Sequence, residues 1–170
     1  IWITGASSGI GLATTEKFAR KGWTVLATSR KLAVLKKLSI EKNIQGRIIP
    51  LKLDIIKKND VEDFVKKNFK KYGIPEVCFL NAGTHLPDNI NSLAIEPFKY
   101  LIDVNLIGTI NCAYSSLPFM FRRGRGQLVL MSSVAGYIGL PYANAYCASK
   151  AAIKSVSESL YWQCLLKGIN

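Results

Sequence analysis

The residues Ile1-Trp2-Ile3-Thr4 run directly into Gly5-Ala6-Ser7-Ser8-Gly9-Ile10-Gly11, and an amphipathic helical pattern follows to about Arg20. A short apolar strand, a turn spaced G-x-x-x-G-x-G and a helix start admit few folds. Glycines let the backbone approach an anion closely, while the free N–H groups and dipole of the helix N-terminus face it. Gly5, Ser7, Ser8, Gly9, Ile10 and Gly11 therefore read as a phosphate-binding turn. Gly22 is expected to close the helix in a left-handed conformation.

The remaining chain repeats the alternation. Thr24–Thr28 reads as a second strand, and residues 32–42 as a helix. Arg47–Leu53 is a third strand, placed near a sheet edge because Pro50 has no N–H to give a ladder. Asn59-Asp60 is expected to cap a helix that runs to Tyr72 and ends at Gly73 and Pro75. Val77–Leu80 is a continuous apolar run of the kind buried on both faces. It leads into Asn81-Ala82-Gly83 and a polar loop from Thr84 to Asn91. One long helix is predicted from Pro97 to Arg123, then a fifth strand over Gln127–Met131, then a helix to about Leu166 stopped by Gly168. Strands alternating with helices imply an α/β chain with a parallel sheet and right-handed crossovers.

Charge decides which partners are plausible. The 170 residues carry a formal net charge of +12, and the lysines concentrate in 31–42 and 57–71 at helical spacing. Solvated helix faces account for them, and no nucleic-acid recognition motif accompanies them. At the end of the second strand, where a dinucleotide fold for NAD usually carries an Asp or Glu for the ribose 2′-OH, the chain has Ser29, Arg30 and Lys31. A guanidinium binds the 2′-phosphate that a carboxylate repels, so NADP(H) is expected in preference to NAD(H); a surface cation at a helix start is the alternative for Arg30. Asp54 and the Ile55 backbone, at the end of the third strand, suit an adenine; a turn or helix cap is the equal alternative for Asp54. Asn81, Ala82 and Gly83 form a small-residue turn that lets backbone lie against a ribose.

The chemistry falls near the end of the chain. Tyr146 and Lys150 lie four residues apart in a helical stretch, which stacks them on one face. A neighbouring ammonium favours the ionised form of a phenol and makes it a proton donor and acceptor usable near neutral pH. Ser133, arriving from the end of an apolar run, is positioned to hold a substrate oxygen. Asn105 is a polar amide in the most apolar part of its helix, and a buried asparagine satisfied by neighbouring backbone is the alternative to a functional one. His85, the only histidine, reads as a solvated loop residue, with an approach to the substrate as the alternative. With one histidine and the cysteines Cys78, Cys112, Cys147 and Cys164 in no CxxC pair, a metal site or a serine-hydrolase triad is poorly supplied. The thiols read as reduced, mostly buried and cytoplasmic. No apolar run reaches the ~18 residues of a membrane span.

Thr4-Gly5-Ala6-Ser7-Ser8-Gly9-Ile10-Gly11, Asn81-Ala82-Gly83, Asn105, Ser133 and Tyr146-x-x-x-Lys150 together resemble the short-chain dehydrogenases/reductases, over Thr4 to Lys150. The resemblance implies a Rossmann-type doubly wound parallel sheet in a three-layer αβα sandwich, with residues 1–170 forming one dinucleotide-binding domain. It also implies interconversion of a small-molecule carbonyl and a secondary alcohol, with Tyr146 as general acid/base and Ser133 holding the carbonyl. Lys150 would bind the nicotinamide ribose beside Tyr146, and Asn105 would kink its helix and position a relay water. Thr28-Ser29-Arg30 is similar to the NADP(H)-preferring members. Family resemblance further implies a dimer or tetramer through the long helices around Asn105 and after Tyr146. Two departures accompany it: Leu80 stands where many members have a second Asn, and the sixth strand, Pro-Gly turn and substrate lid of the family are not in the sequence. A cofactor-binding regulator or scaffold of the same fold, without catalysis, is the alternative function.

Overall fold

A computed structural model describes residues 1–41, 43–89 and 91–170. Its centre is a five-stranded, wholly parallel sheet in the order β3-β2-β1-β4-β5. The strands are β1 (Trp2–Thr4), β2 (Thr24–Ser29), β3 (Arg47–Lys52), β4 (Val77–Leu80) and β5 (Gln127–Leu130). β3 lies at an edge, so Pro50, paired in register with Ala27, leaves no central ladder position unfilled. The strand order reverses between β1 and β4, which opens a crevice at their carboxyl ends.

Strand alternation builds two cores. Ile1, Ile3, Val25, Ala27 and Ile48 face α1 (Gly9–Arg20) and α2 (Ala33–Leu38). Trp2, Leu26, Ile49, Cys78 and Leu80 face α3 (Lys58–Tyr72), α5 (Gly108–Arg123) and α6 (Asn144–Leu165). Trp2 is fully buried, its ring stacked 5.4 Å from Phe64 and edge-on to Phe69 at 5.8 Å. Its Nε1–H is donated to Thr28 Oγ1 at 3.1 Å, so the indole is buried without an orphaned donor. Truncation of Trp2 to alanine is expected to cost about 3–5 kcal/mol. After α6, Gly168 takes φ +72°, and Asn170 pairs with the start of β5 through its N–H to Gly126 O at 2.9 Å.

Gly22 does end α1 in the left-handed region, at φ +86°. Three expected boundaries are corrected. The second helix is shorter, ending at Leu38; Lys42 lies outside the described residues. Asn59 and Asp60 do not cap α3 but sit inside its first turn, with Lys57 at the cap and no side-chain cap bond. Asp54 has already turned the chain by accepting the Ile56 N–H at 3.3 Å, and the helix starts one residue before Asn59. The long helix predicted from Pro97 is two, α4 (Ile95–Ile102) and α5, joined by a π-helical turn at Asp103–Ile107. That inserted turn contains Asn105. No helix among the described residues is long and apolar enough to cross a membrane.

Candidate active site

A cleft of about 440 Å³ opens at the carboxyl ends of the strands. Every strand end contributes to it: Gly5 and Ser7 to Ile10 after β1, Thr28 to Arg30 at β2, Leu53 to Ile56 after β3, Asn81 to His85 after β4, and Met131 and Ser132 after β5. Val104, Tyr146 and Lys150 complete the lining. Most expected site residues are therefore brought together: Gly5, Ser7, Ser8, Gly9, Ile10, Ser29, Arg30, Asp54, Ile55, Asn81, Ala82, Gly83, Tyr146 and Lys150 all line one cleft.

The glycine turn is fastened to its neighbours. Gly5 takes φ +65°, and a methyl there would stand 2.7 Å from Ala82 Cα, so only glycine lets the β1 and β4 turns touch. Thr4 Oγ1 accepts the Ala82 N–H at 3.0 Å, and Asn81 Nδ2 donates to Thr4 O at 3.3 Å. Ser7 and Ser29 share a hydroxyl hydrogen bond of 2.7 Å, tying the turn to the end of β2. Ser8 caps α1 in extended conformation yet places no side-chain hydrogen bond on the first turn. The space above Gly9 is open, with nothing within 4 Å of a methyl built there. Uncapped helix N–H groups facing open space fit an anion.

Gly11, expected in the phosphate turn, is buried behind the cleft and is not among its lining residues. A Cβ at Gly11 would fall 2.6 Å from Asn81 Nδ2, so its role is close packing of α1 on the two turns.

At the β2 end, the exposed Arg30 donates from Nη1 to Tyr100 Oη at 3.1 Å, and this bond holds the guanidinium more firmly protonated. Four of its five N–H donors remain for a ligand in the cleft.

At the other end, Lys150 is 4% exposed and donates from Nζ to Met131 O at 2.8 Å. Burial lowers its ammonium below the ordinary lysine range. Two N–H groups remain to donate. The same Nζ lies 5.7 Å from the centroid of the half-buried Tyr146 ring, as the four-residue spacing requires.

Asn105 is also outside the cleft lining, fully buried one layer behind it. Its Oδ1 accepts the Thr84 N–H at 2.8 Å, and its Nδ2 donates to Thr84 O at 2.9 Å and Ser149 Oγ at 3.1 Å. Ser149 in turn donates to Tyr146 O at 2.7 Å. Asn105 thus couples the loop after β4 to the helix of Tyr146, and its backbone oxygen accepts from Thr109 Oγ1 at 2.9 Å. Two of its three side-chain bonds go to backbone, as in the buried-amide alternative, and the third to the Ser149 hydroxyl. Gly83 passes over both polar groups: a methyl there would stand 3.2 Å from Asn105 Oδ1 and 3.5 Å from Lys150 Nζ.

Ser133 is the third expected residue absent from the lining; Ser132 is present instead. Ser133 caps a short 3₁₀ turn, Val134–Gly136, by accepting the Ala135 N–H at 3.2 Å, which leaves its own proton to donate. Ser132 Oγ donates to Lys150 O at 3.0 Å. His85, read as a solvated loop residue, is exposed but packs its ring 4.9 Å from that of Tyr146. The alternative reading, that it approaches the substrate from the loop after Gly83, fits its place in the cleft lining. Leu53, Ile56 and Thr84 beyond strand ends, and Val104 in the π-helical turn, carry no chemical signature in the sequence because they are apolar or small.

Comparison with known proteins places this geometry in context. The family model described as short chain dehydrogenase matches residues 1–170. An uncharacterized oxidoreductase of Listeria monocytogenes is 33% identical over 172 residues, covering 100% of this chain and 69% of that protein. The 3-oxoacyl-acyl-carrier-protein reductase of Thermotoga maritima is 34% identical over 169 residues, covering 99% of this chain and 68% of the relative. Among solved structures, a short-chain dehydrogenase from Streptomyces avermitilis superposes with a TM-score of 0.90 at 29% identity, covering 99% of this chain. The chain spans 62% of the length of that structure.

Proposed function

The chain belongs to the short-chain dehydrogenase family, and on that premise we propose that it forms the cofactor-binding and proton-handling part of an NADP(H)-dependent oxidoreductase that interconverts a carbonyl and a secondary alcohol. The observation that carries the reading is the convergence of Tyr146 and Lys150 with the glycine and Asn-Ala-Gly turns on one cleft. Residues 1–170 act as a single dinucleotide-binding domain in this reading.

The residues fit a dinucleotide phosphate. The first turn of α1 and the open space above Gly9 suit the pyrophosphate. Arg30 suits the 2′-phosphate, with Ser7 and Ser29 beside it; Asp54 and Ile55 flank the adenine end, and Asn81 to Gly83 the middle. NADP(H), when bound, supplies or accepts the hydride. Everything else is the work of this chain. Tyr146 Oη gives a proton to the substrate oxygen during reduction and takes it back during oxidation. Ser133 donates its hydroxyl proton to that same oxygen and polarises the carbonyl. Lys150, pinned to Met131 O, directs its remaining N–H groups at a ribose and its charge at Tyr146. Asn105 keeps the Thr84 turn and the Tyr146 helix in register and belongs to the proton relay in this reading.

Exposed Tyr114, Tyr161, Trp162 and Leu165 on α5 and α6 support self-association as a dimer or tetramer. The four free cysteines support a cytoplasmic setting. A non-catalytic NADP(H)-binding role is the second reading, favoured by the position of Ser133 outside the cleft lining. NADPH oxidation against a panel of ketones and aldehydes separates the two. Turnover with any carbonyl supports the oxidoreductase; tight NADPH binding with none supports the regulator.

A further inference from the structure

The loop that follows Asn81-Ala82-Gly83 returns to the helix of Tyr146 and is bolted to it. Asp88 Oδ2 accepts the Asn144 N–H at 2.6 Å, and the Asp88 N–H donates to Tyr142 O at 2.9 Å. Asn144 is the first residue of α6, and Ala143 before it offers no side-chain cap. The first N–H groups of a helix lack intrahelical partners, and a negative charge there is favourable. Asp88 supplies both from 56 residues away. Tyr142 carries the other half of the clamp in a costly conformation: at φ +58° it is the one non-glycine residue with positive φ among the described residues. Between the glycine turn and this clamp hangs His85, with its ring 4.9 Å from that of Tyr146 at 62°. Tyr146 itself lies two residues beyond Asn144.

We propose that Asp88 is a positioning residue for Tyr146: its carboxylate fastens the 84–88 segment to the first turn of α6 and so holds His85 against the phenol ring. The segment then fixes the start of the helix and walls one side of the proton donor. The Thr84 end of the same segment is already fixed by Asn105, so Asp88 is what immobilises its far end. The catalytic consequence rests on the oxidoreductase reading above; the structural consequence does not.

The test uses the full protein and reads both. In wild-type protein the His85 ring protons, assigned by their loss in His85→Gln, are expected to carry a ring-current shift from Tyr146, which Tyr146→Leu removes. Asp88→Ala is expected to move the His85 signals to the Tyr146→Leu position, while Asp88→Asn, whose carboxamide oxygen still accepts the Asn144 N–H, leaves them in place. Asp88→Leu, similar in shape but without an acceptor, repeats the alanine result if the alanine variant folds poorly. His85 signals unchanged in the variants lacking an acceptor overturn the clamp, whatever the enzyme does. In turnover, Asp88→Ala is expected to lower kcat by about tenfold, as misplacement of a reacting group does. NADPH affinity stays unchanged, and Asp88→Asn recovers most of the rate. Equal losses in the alanine and asparagine variants overturn the positioning role. A wild-type protein that reduces no carbonyl overturns the oxidoreductase reading, and the resonance of His85 still decides the clamp.

Discussion

Replacing Asn105 by alanine separates the part this residue plays in holding the site from any part in the reaction. The wild-type side chain makes three hydrogen bonds, to the Thr84 N–H, Thr84 O and Ser149 Oγ, from a position 1% exposed. Each such bond contributes about 0.5–1.5 kcal/mol net, and a buried group left unpaired costs about 1–3 kcal/mol. Ser149 keeps its bond to Tyr146 O, and the half-buried Thr84 recovers part of its loss from water. The sum is a destabilisation of about 3 kcal/mol. For a domain of this size that lowers Tm by roughly 6–12 °C and, with a urea slope of about 2 kcal/mol/M, the unfolding midpoint by roughly 1.5 M. Equilibrium urea unfolding followed by far-UV circular dichroism provides the assay. A loss under about 0.5 kcal/mol, within what ordinary surface substitutions do, refutes the hydrogen-bond argument. A stable variant that loses turnover alone assigns Asn105 to the proton relay and not to the scaffold.

Arg30→Asp is expected to weaken NADPH binding by about tenfold or more, the loss of one charge-assisted hydrogen bond, while NADH binding stays level or improves; equal changes for both cofactors refute the 2′-phosphate assignment. Thiol titration at neutral pH is expected to label Cys147 quickly and the other three only on unfolding. Burial pushes the Cys78 thiol up to about 12 and raises Cys112 as well, so moving from pH 7 to pH 9 still produces almost no thiolate at either. Rapid labelling of all four in native protein contradicts the packing of the core. Light scattering of Trp162→Glu, which puts a charge on the exposed apolar end of α6, is expected to show a smaller particle than wild type if that face joins subunits.

Where the sequence reading succeeded, local pattern and tertiary demand agreed. The β1 turn and α1 are written in adjacent residues, and the apolar runs of β2 and β4 are buried on both sides because they are central strands. Edge placement of β3 followed from Pro50 alone. The break between α4 and α5 does not show in the apolar periodicity, which continues across it; its traces were the polar Asn105 in an apolar stretch and the family resemblance, which expects that residue to kink its helix. Asn59 and Asp60 have cap chemistry, but the turn made by Asp54 decides where α3 begins. Gly11 belongs to the glycine spacing, and its close packing against Asn81, seventy residues away, has no local signal. Contacts such as His85 with Tyr146 and Asp88 with Asn144 join residues far apart in sequence, and no local signal announces them.

The central claim, that Tyr146 handles the proton in a carbonyl reduction whose cofactor the cleft holds independently, is tested most directly by Tyr146→Phe. This substitution removes one oxygen and keeps the ring beside Lys150 and His85. Measured together on the same variant, NADPH affinity by fluorescence titration should match wild type, while carbonyl-dependent NADPH oxidation should fall by about a hundredfold or more. Turnover close to wild type with NADPH binding intact would contradict the account.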